Sequence, residues 1–223
     1  RLQTGIVDGL VLSADGRRAR GVLVDGEPID ADAVLIAMGP WSILACRWLP
    51  LPGTFGLKGH SLVFRFQPQD SATVFAEIEA EDGAVETPEI VPRMDGTTYV
   101  CGLSSQALMP EDPARVTSDE GAFDKLRELT ACVSSDLADA EILARQACHR
   151  PVTEDGLPFI GAVPGVQGAF IATGHSVWGM LNGPATGEAI AELLLQGAAR
   201  HIDLTPFSPG RMPPLDPDRL TVK

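Results

Sequence analysis

The chain has 223 residues, 44% hydrophobic and 21% charged, with 30 acidic against 17 basic side chains and a net charge of −13. That length carries one large or two small cores, and the acidic balance argues against nucleic acid or an anionic membrane as partner. No apolar run approaches the ~18–20 residues that a membrane helix needs, and no signal peptide opens the chain. Cys46, Cys101, Cys132 and Cys148 have no CxxC spacing. They fit neither a zinc site nor a small disulfide framework, and they point to a reducing, cytoplasmic compartment. The sequence opens on Arg1-Leu2-Gln3-Thr4-Gly5, without an initiator Met, directly before strand-like sequence. It reads as a fragment or a processed product.

Residues 6–12 and 20–25 read as strands joined by a turn at Ser13-Ala14-Asp15-Gly16, with a second turn at Asp25–Pro28. The apolar run Ala33–Ala37, bounded by Asp32 and Gly39, predicts a buried strand. A helix is expected over Ser42–Trp48 with Ser42 as N-cap. After Pro50 the character changes. Residues 62–66, 73–76 and 97–101 predict short strands of an antiparallel sheet, separated by Pro, Gly and Asp clusters. Ser118–Val133 predicts a helix whose start is capped by Ser118-Asp119-Glu120-Gly121. Ala140–Cys148 reads as strand or helix. Strands return at 157–161 and 169–173. A helix is expected from about Asn182 to Gln196, stopped by Gly197. The tail, 201–223, holds five of the eighteen prolines, which predicts a surface strap or partial disorder.

The richest stretch is Ile171–Gly187 (IATGHSVWGMLNGPATG), where Gly174, Gly179, Gly183 and Gly187 fall within fourteen residues. A strand that ends in such a loop and opens a helix N-terminus suits an electron-rich or anionic group, because free N–H groups and the helix dipole converge there. His175 reads as a cofactor contact or a packed ring, and Trp178 as a pocket wall. Gly39, Pro40 and Trp41 follow the buried strand at 33–37, which reads either as a cofactor crevice or as a structural strand–helix turn. Arg150 offers a planar fork for a carboxylate, or an ion pair with an acid such as Asp155. Lys58 reads as a solvated lysine. The sequence contains no GxxxxGK[ST], HExxH, GxSxG or N-terminal GxGxxG, so it carries no metal motif.

These segments, in order, are Asp32–Ser42 (DAVLIAMGPWS), Leu57–His60 (LKGH), Tyr99–Gly102 (YVCG), Arg150–Gly161 (RPVTEDGLPFIG), Ala172–Met180 (ATGHSVWGM), Gly183–Gly187 (GPATG) and Ile202–Phe207 (IDLTPF) with Arg211. Together they resemble the C-terminal two-thirds of FAD-dependent oxidoreductases of the D-amino-acid-oxidase superfamily, the group of glycine oxidase and monomeric sarcosine oxidase. The resemblance implies an α+β chain. An α/β FAD-binding domain remnant, residues 1–50 and 150–200, would hold an inserted antiparallel β-sheet substrate domain at 51–149, followed by the 201–223 tail.

It also implies site residues. Gly39, Pro40, Trp41, Gly174, His175, Gly179, Met180, Asn182 and Gly183 would contact FAD, with the helix start at Asn182–Gly183 facing the flavin pyrimidine edge. Arg150 and Trp178 would bind substrate, an amine or amino acid oxidised by hydride transfer from Cα–H to flavin N5. Cys148 aligns with the cysteine bonded to flavin in monomeric sarcosine oxidase, which leaves covalent and non-covalent attachment both open. No acid–base residue is assigned, and oxidase and dehydrogenase chemistry both stay open. The family's pyrophosphate-binding GxGxxG unit is absent. The alternatives are therefore a non-catalytic interaction or regulatory relic, or a subunit whose nucleotide-binding half comes from a partner chain.

Overall fold

The computed structural model describes residues 1–70, 72–79 and 83–220. In chain order it forms β1 (Val7–Leu12), β2 (Ala19–Val24), β3 (Glu27–Asp30), β4 (Val34–Ile36), a 3-10 helix over Gly39–Arg47, β5 (Phe55–Phe64), β6 (Val74–Phe75), β7 (Ile78–Glu79), β8 (Val85–Glu86), β9 (Glu89–Pro92) and β10 (Thr98–Ser105). Helices α1 (Ala122–Val133) and α2 (Ser135–Ala138) follow, then β11 (Ile142–Val152), β12 (Phe159–Ala162), β13 (Ala169–Thr173), a 3-10 turn Ser176–Trp178, and α3 (Gly179–Gln196). The chain is a mixture of helix and several antiparallel sheets, as the α+β reading expects. Ala140–Cys148 resolves in favour of a strand.

Two compact units share the chain. The first takes Arg1–Gly56 and Arg150–Val222, the second Leu57–His149. In the first, β1-β2-β3 form an antiparallel sheet, and a second sheet has the order β12-β13-β4. Here β12 runs antiparallel to β13, whereas β13 runs parallel to β4 with Ala169 opposite Val34 and Ile171 opposite Ile36. Val34, Ile36, Leu51, Phe159, Ala169 and Ile171 bury together into one core. The tail runs along the surface as a strap, largely exposed, and is fastened to this core by three side chains. Met212, Leu215 and Leu220 lie against it, and Leu215 N–H donates to the Leu51 carbonyl at 2.8 Å.

In the second unit a five-stranded sheet has the order β11-β5-β10-β9-β6. Its β5–β10, β10–β9 and β9–β6 pairs are antiparallel. Leu62, Phe64, Ile90 and Val100 pack there with Leu126 of α1 and Leu137 of α2.

Three local expectations need correction. The helix after β4 starts at Gly39 rather than Ser42, and it is 3-10. Gly39 takes φ +55, and Pro40 fits the first turn because its missing N–H is an orphan there anyway. Ser42 is buried inside the helix and caps nothing. Next, α1 starts at Ala122, with Gly121 at φ +71 as its N-cap and no side-chain cap bond. The acidic residue expected to charge its start is engaged elsewhere. Asp119 accepts from Lys58 Nζ at 2.8 Å and Ser105 Oγ at 2.5 Å, and its N–H donates to His60 Nε2 at 3.1 Å. Lys58 is accordingly not solvated but 6% exposed, since a buried ammonium needs a paired anion. The His60 ring is held at both ends. Its Nδ1–H donates to the Leu103 carbonyl at 2.7 Å, so Nε2 is the acceptor for Asp119.

Candidate active site

The site in the first unit grows from the parallel pair β4 and β13. Parallel strands end at the same edge, and the crevice outside their carboxyl ends is where open α/β sheets place ligands. β4 leaves that edge through Met38 into Gly39-Pro40-Trp41, and β13 leaves it through Gly174-His175. A hydrogen bond ties the two exits together: Thr173 Oγ1 donates to the Gly39 carbonyl at 2.8 Å. Two loops separated by more than a hundred residues of sequence thus meet at one strand edge.

The two glycines there differ. Gly39 at φ +55 has nothing within 4 Å of where a Cβ would sit, leaving its backbone open to close approach. Gly174 at φ +86 faces protein. A Cβ there would stand 2.7 Å from Thr153 Cγ2 and 3.3 Å from Pro158 Cα. Its small size serves internal packing.

Beyond Gly174 the chain makes the 3-10 turn, closed by Trp178 N–H to the His175 carbonyl at 2.9 Å, and runs straight into α3 at Gly179. The expected start at Asn182–Gly183 is one turn too late. The Gly183-Pro184 pair looks like a first turn, yet Pro184 sits inside the helix. No side chain caps α3, and the N–H groups of its first turn have no acceptor within the helix. Asn182 and Gly183 lie exposed in the second turn. His175 Nε2 and Thr186 Oγ1 are 2.9 Å apart, which pins the loop to α3. Burial holds the His175 pKa below its ordinary 6.5, so the ring is neutral at pH 7. Trp178, Met180 and Leu181 are 60%, 96% and 73% exposed and, with exposed Val177, form an apolar group over the turn and the start of α3.

Arg150 lies on β11 and is half-buried. Asp155, the acid considered as its alternative partner, is bound by Arg211. Cys148 is exposed on β11, in the second unit. All four cysteines are free thiols.

Residues 3–193 match the family described as DAO: FAD dependent oxidoreductase. The chain belongs to this family. Among DAO relatives, the glycine oxidase of Pseudomonas aeruginosa is 31% identical over 201 residues, covering 89% of this chain and 51% of the relative. That of Geobacillus kaustophilus is 34% identical over 185 residues, covering 82% and 45%. A D-amino acid dehydrogenase of Ralstonia nicotianae is 31% identical, covering 84% and 44%. The crystal structure of the Geobacillus kaustophilus glycine oxidase superposes with a TM-score of 0.71 at 30% identity, over 86% of this chain and 48% of that one. The chain thus spans about half the length of these relatives.

Sequence reasoning missed three side chains that build this DAO-family crevice. Thr173 was one residue of a quoted motif, and Thr186 was another. Their signal was a hydroxyl beside a glycine loop, which has no period to detect. Arg211 stands beside the Ile202–Phe207 motif, but nothing local points to its hold on the 153–158 turn.

Proposed function

We propose that this chain carries the flavin-ring and substrate-binding portion of an FAD-dependent oxidoreductase acting on an amine or amino acid. The observation that carries this reading is the Thr173–Gly39 bond across the ends of β4 and β13, which joins both glycine loops at one crevice. The residues fit the group. Gly39 leaves open space at its backbone, and the uncapped first turn of α3 offers N–H donors and a positive dipole end to an electron-rich ring edge, worth about 0.3–1 kcal/mol or more when buried. On this reading Gly39, Pro40, Trp41, His175, Gly179 and Met180 line the ring, with Gly174 packed behind them against the 153–158 turn. The donors to its anionic edge come from Gly179, Met180 and Leu181 rather than from Asn182 and Gly183.

Bound FAD would supply a two-electron acceptor that takes hydride from the substrate Cα–H. Arg150 would bind the substrate carboxylate through its fork of donors, and Trp178 would wall the pocket. His175, neutral and bonded to Thr186, would orient the loop rather than move a proton.

The test is to express the protein as its gene encodes it, load it with FAD, remove unbound flavin by gel filtration and record the visible spectrum. Flavin bands that bleach anaerobically with one member of a panel of glycine, N-methyl and D-amino acids support the reading, and oxygen uptake then sorts oxidase from dehydrogenase. Absence of protein-bound flavin bands after loading with saturating FAD overturns it. Acid precipitation separates covalent attachment at Cys148 from reversible binding. The exposed Trp178, Met180 and Leu181 favour a second reading, in which a partner chain with a nucleotide-binding unit covers this surface. Flavin binding that appears only in a co-purified complex would establish that one.

A further inference from the structure

Arg211, in the C-terminal strap, uses all five of its guanidinium N–H donors. Nε donates to Asp155 Oδ2 at 2.7 Å, and Nη2 donates to Asp155 Oδ1 at 2.9 Å and the Leu157 carbonyl at 2.7 Å. Nη1 donates to the carbonyls of Pro158 and Ser208, both at 3.2 Å. The guanidinium also stacks over the Phe159 ring, 4.2 Å from its centroid. Such a planar fork with every donor filled fixes position, which a lysine's point charge cannot do.

What it fixes is the turn at 153–158. Within that turn Thr153 Oγ1 donates to the Leu157 carbonyl at 2.8 Å, and Leu157 N–H donates to Asp155 Oδ1 at 3.1 Å. This turn is the surface on which Gly174 rests, with Thr153 Cγ2, Pro158 Cα and Phe159 N the nearest atoms to its missing Cβ. The order of support runs from Arg211 to the 153–158 turn, to Gly174, to the His175–Trp178 turn and the first N–H groups of α3. We infer that Arg211, with Asp155, is a positioning residue for the flavin-ring loop: it sets where the α3 N-terminus presents its donors without touching the cofactor itself. This rests on the flavin reading above. Arg211 also holds the Asp155 carboxyl well below the usual carboxylate range, so the clasp stays charged across the whole working pH range.

The test compares wild type, Arg211→Lys, Arg211→Gln and Asp155→Asn in the protein as its gene encodes it, with Arg65→Gln as control, because Arg65 and its partner Glu141 form an exposed surface pair. Folding is checked by circular dichroism. FAD affinity is read by fluorescence quenching and the two-electron potential of bound FAD by anaerobic titration. Arg211→Gln and Asp155→Asn should weaken FAD by at least tenfold and lower the potential, because the helix N–H groups no longer meet the reduced, anionic ring edge. Arg211→Lys should recover only part, and Arg65→Gln should stay within twofold. If Arg211→Gln does not fold, Asp155→Asn, which keeps the side-chain shape, decides. Variants that melt earlier yet keep wild-type affinity and potential overturn the inference while leaving the flavin reading intact. A wild-type protein that binds no FAD overturns both.

Discussion

Substituting Gly174 with Ala tests the packing at the base of the loop. Two costs add. At φ +86 a Cβ meets backbone strain of roughly 1–2 kcal/mol. The same Cβ would stand 2.7 Å from Thr153 Cγ2, well inside van der Waals contact, which adds roughly 1–3 kcal/mol of overpacking. Thr153 cannot simply rotate away, because its hydroxyl is bonded to the Leu157 carbonyl, a bond worth about 1 kcal/mol. The sum is about 3 kcal/mol, a urea midpoint lowered by about 1.5 M at an m-value near 2 kcal/mol/M. Tryptophan fluorescence reports this unit alone, because Trp41, Trp48 and Trp178 all lie in it. Thr153→Ser removes the offending methyl and keeps the hydroxyl, so adding it to Gly174→Ala should return about 1 kcal/mol or more while leaving the strain. A loss below about 0.5 kcal/mol, or a double variant with no relief, refutes the steric account.

Removing Asp119 strands the buried Lys58 ammonium. Asp119→Ala should cost about 1–3 kcal/mol, below the 3–5 of a fully buried pair because the Asp119 side chain is 35% exposed. Adding Lys58→Met should restore much of that, read by urea unfolding with the fluorescence of Tyr99, which lies in the second unit. His175 gives a pH signature. Its folded pKa lies below 6.5, so above 6.5 both states are neutral and stability is full. Below 6.5 the unfolded ring takes up its proton first, and stability falls until the folded ring protonates as well. Thermal melts across that window should sag in wild type and flatten in His175→Gln. Burial pushes the Cys46 thiol up to about 11. Ellman's reagent at pH 8 should therefore spare Cys46 in the native protein while labelling the exposed Cys132 and Cys148.

The strands were legible because they rest on short-range patterns. The run at 33–37 and the run at 169–173 each read as buried strands, and each ended in glycine. What could not be read was their partnership. Parallel pairing between segments that far apart leaves no local trace, and only the Ile171–Ile36 register and the Thr173–Gly39 bond reveal it. Helix starts were misread for a related reason. Capping patterns at Ser42 and at Ser118–Gly121 were sound local signals, and the start near Asn182–Gly183 followed the glycines, but tertiary demands outbid them. Ser42 went to the core, Asp119 went to Lys58, and Pro184 was absorbed one turn into α3. The tail's five prolines point to a surface strap, but composition gives no sign of its fastening: Arg211 alone ties it to residues 155–158 through four hydrogen bonds.

Gly39 and Gly174 look equivalent in sequence, each a glycine ending an apolar run, and the structure separates their purposes. Both take positive φ, so alanine strains the backbone at either, by roughly 1–2 kcal/mol. Only Gly174 also meets protein atoms, whereas Gly39 meets none within 4 Å. Open space beside a strained glycine at the carboxyl edge of parallel strands is useful only if something else fills it. Gly39→Ala should therefore cost no more than about 2 kcal/mol in urea while weakening FAD by tenfold or more. Gly174→Ala should lose stability first, and affinity through it. Equal stability losses with unchanged FAD affinity in Gly39→Ala would mean that its conformation serves the chain's turn into the 3-10 helix and not a ligand.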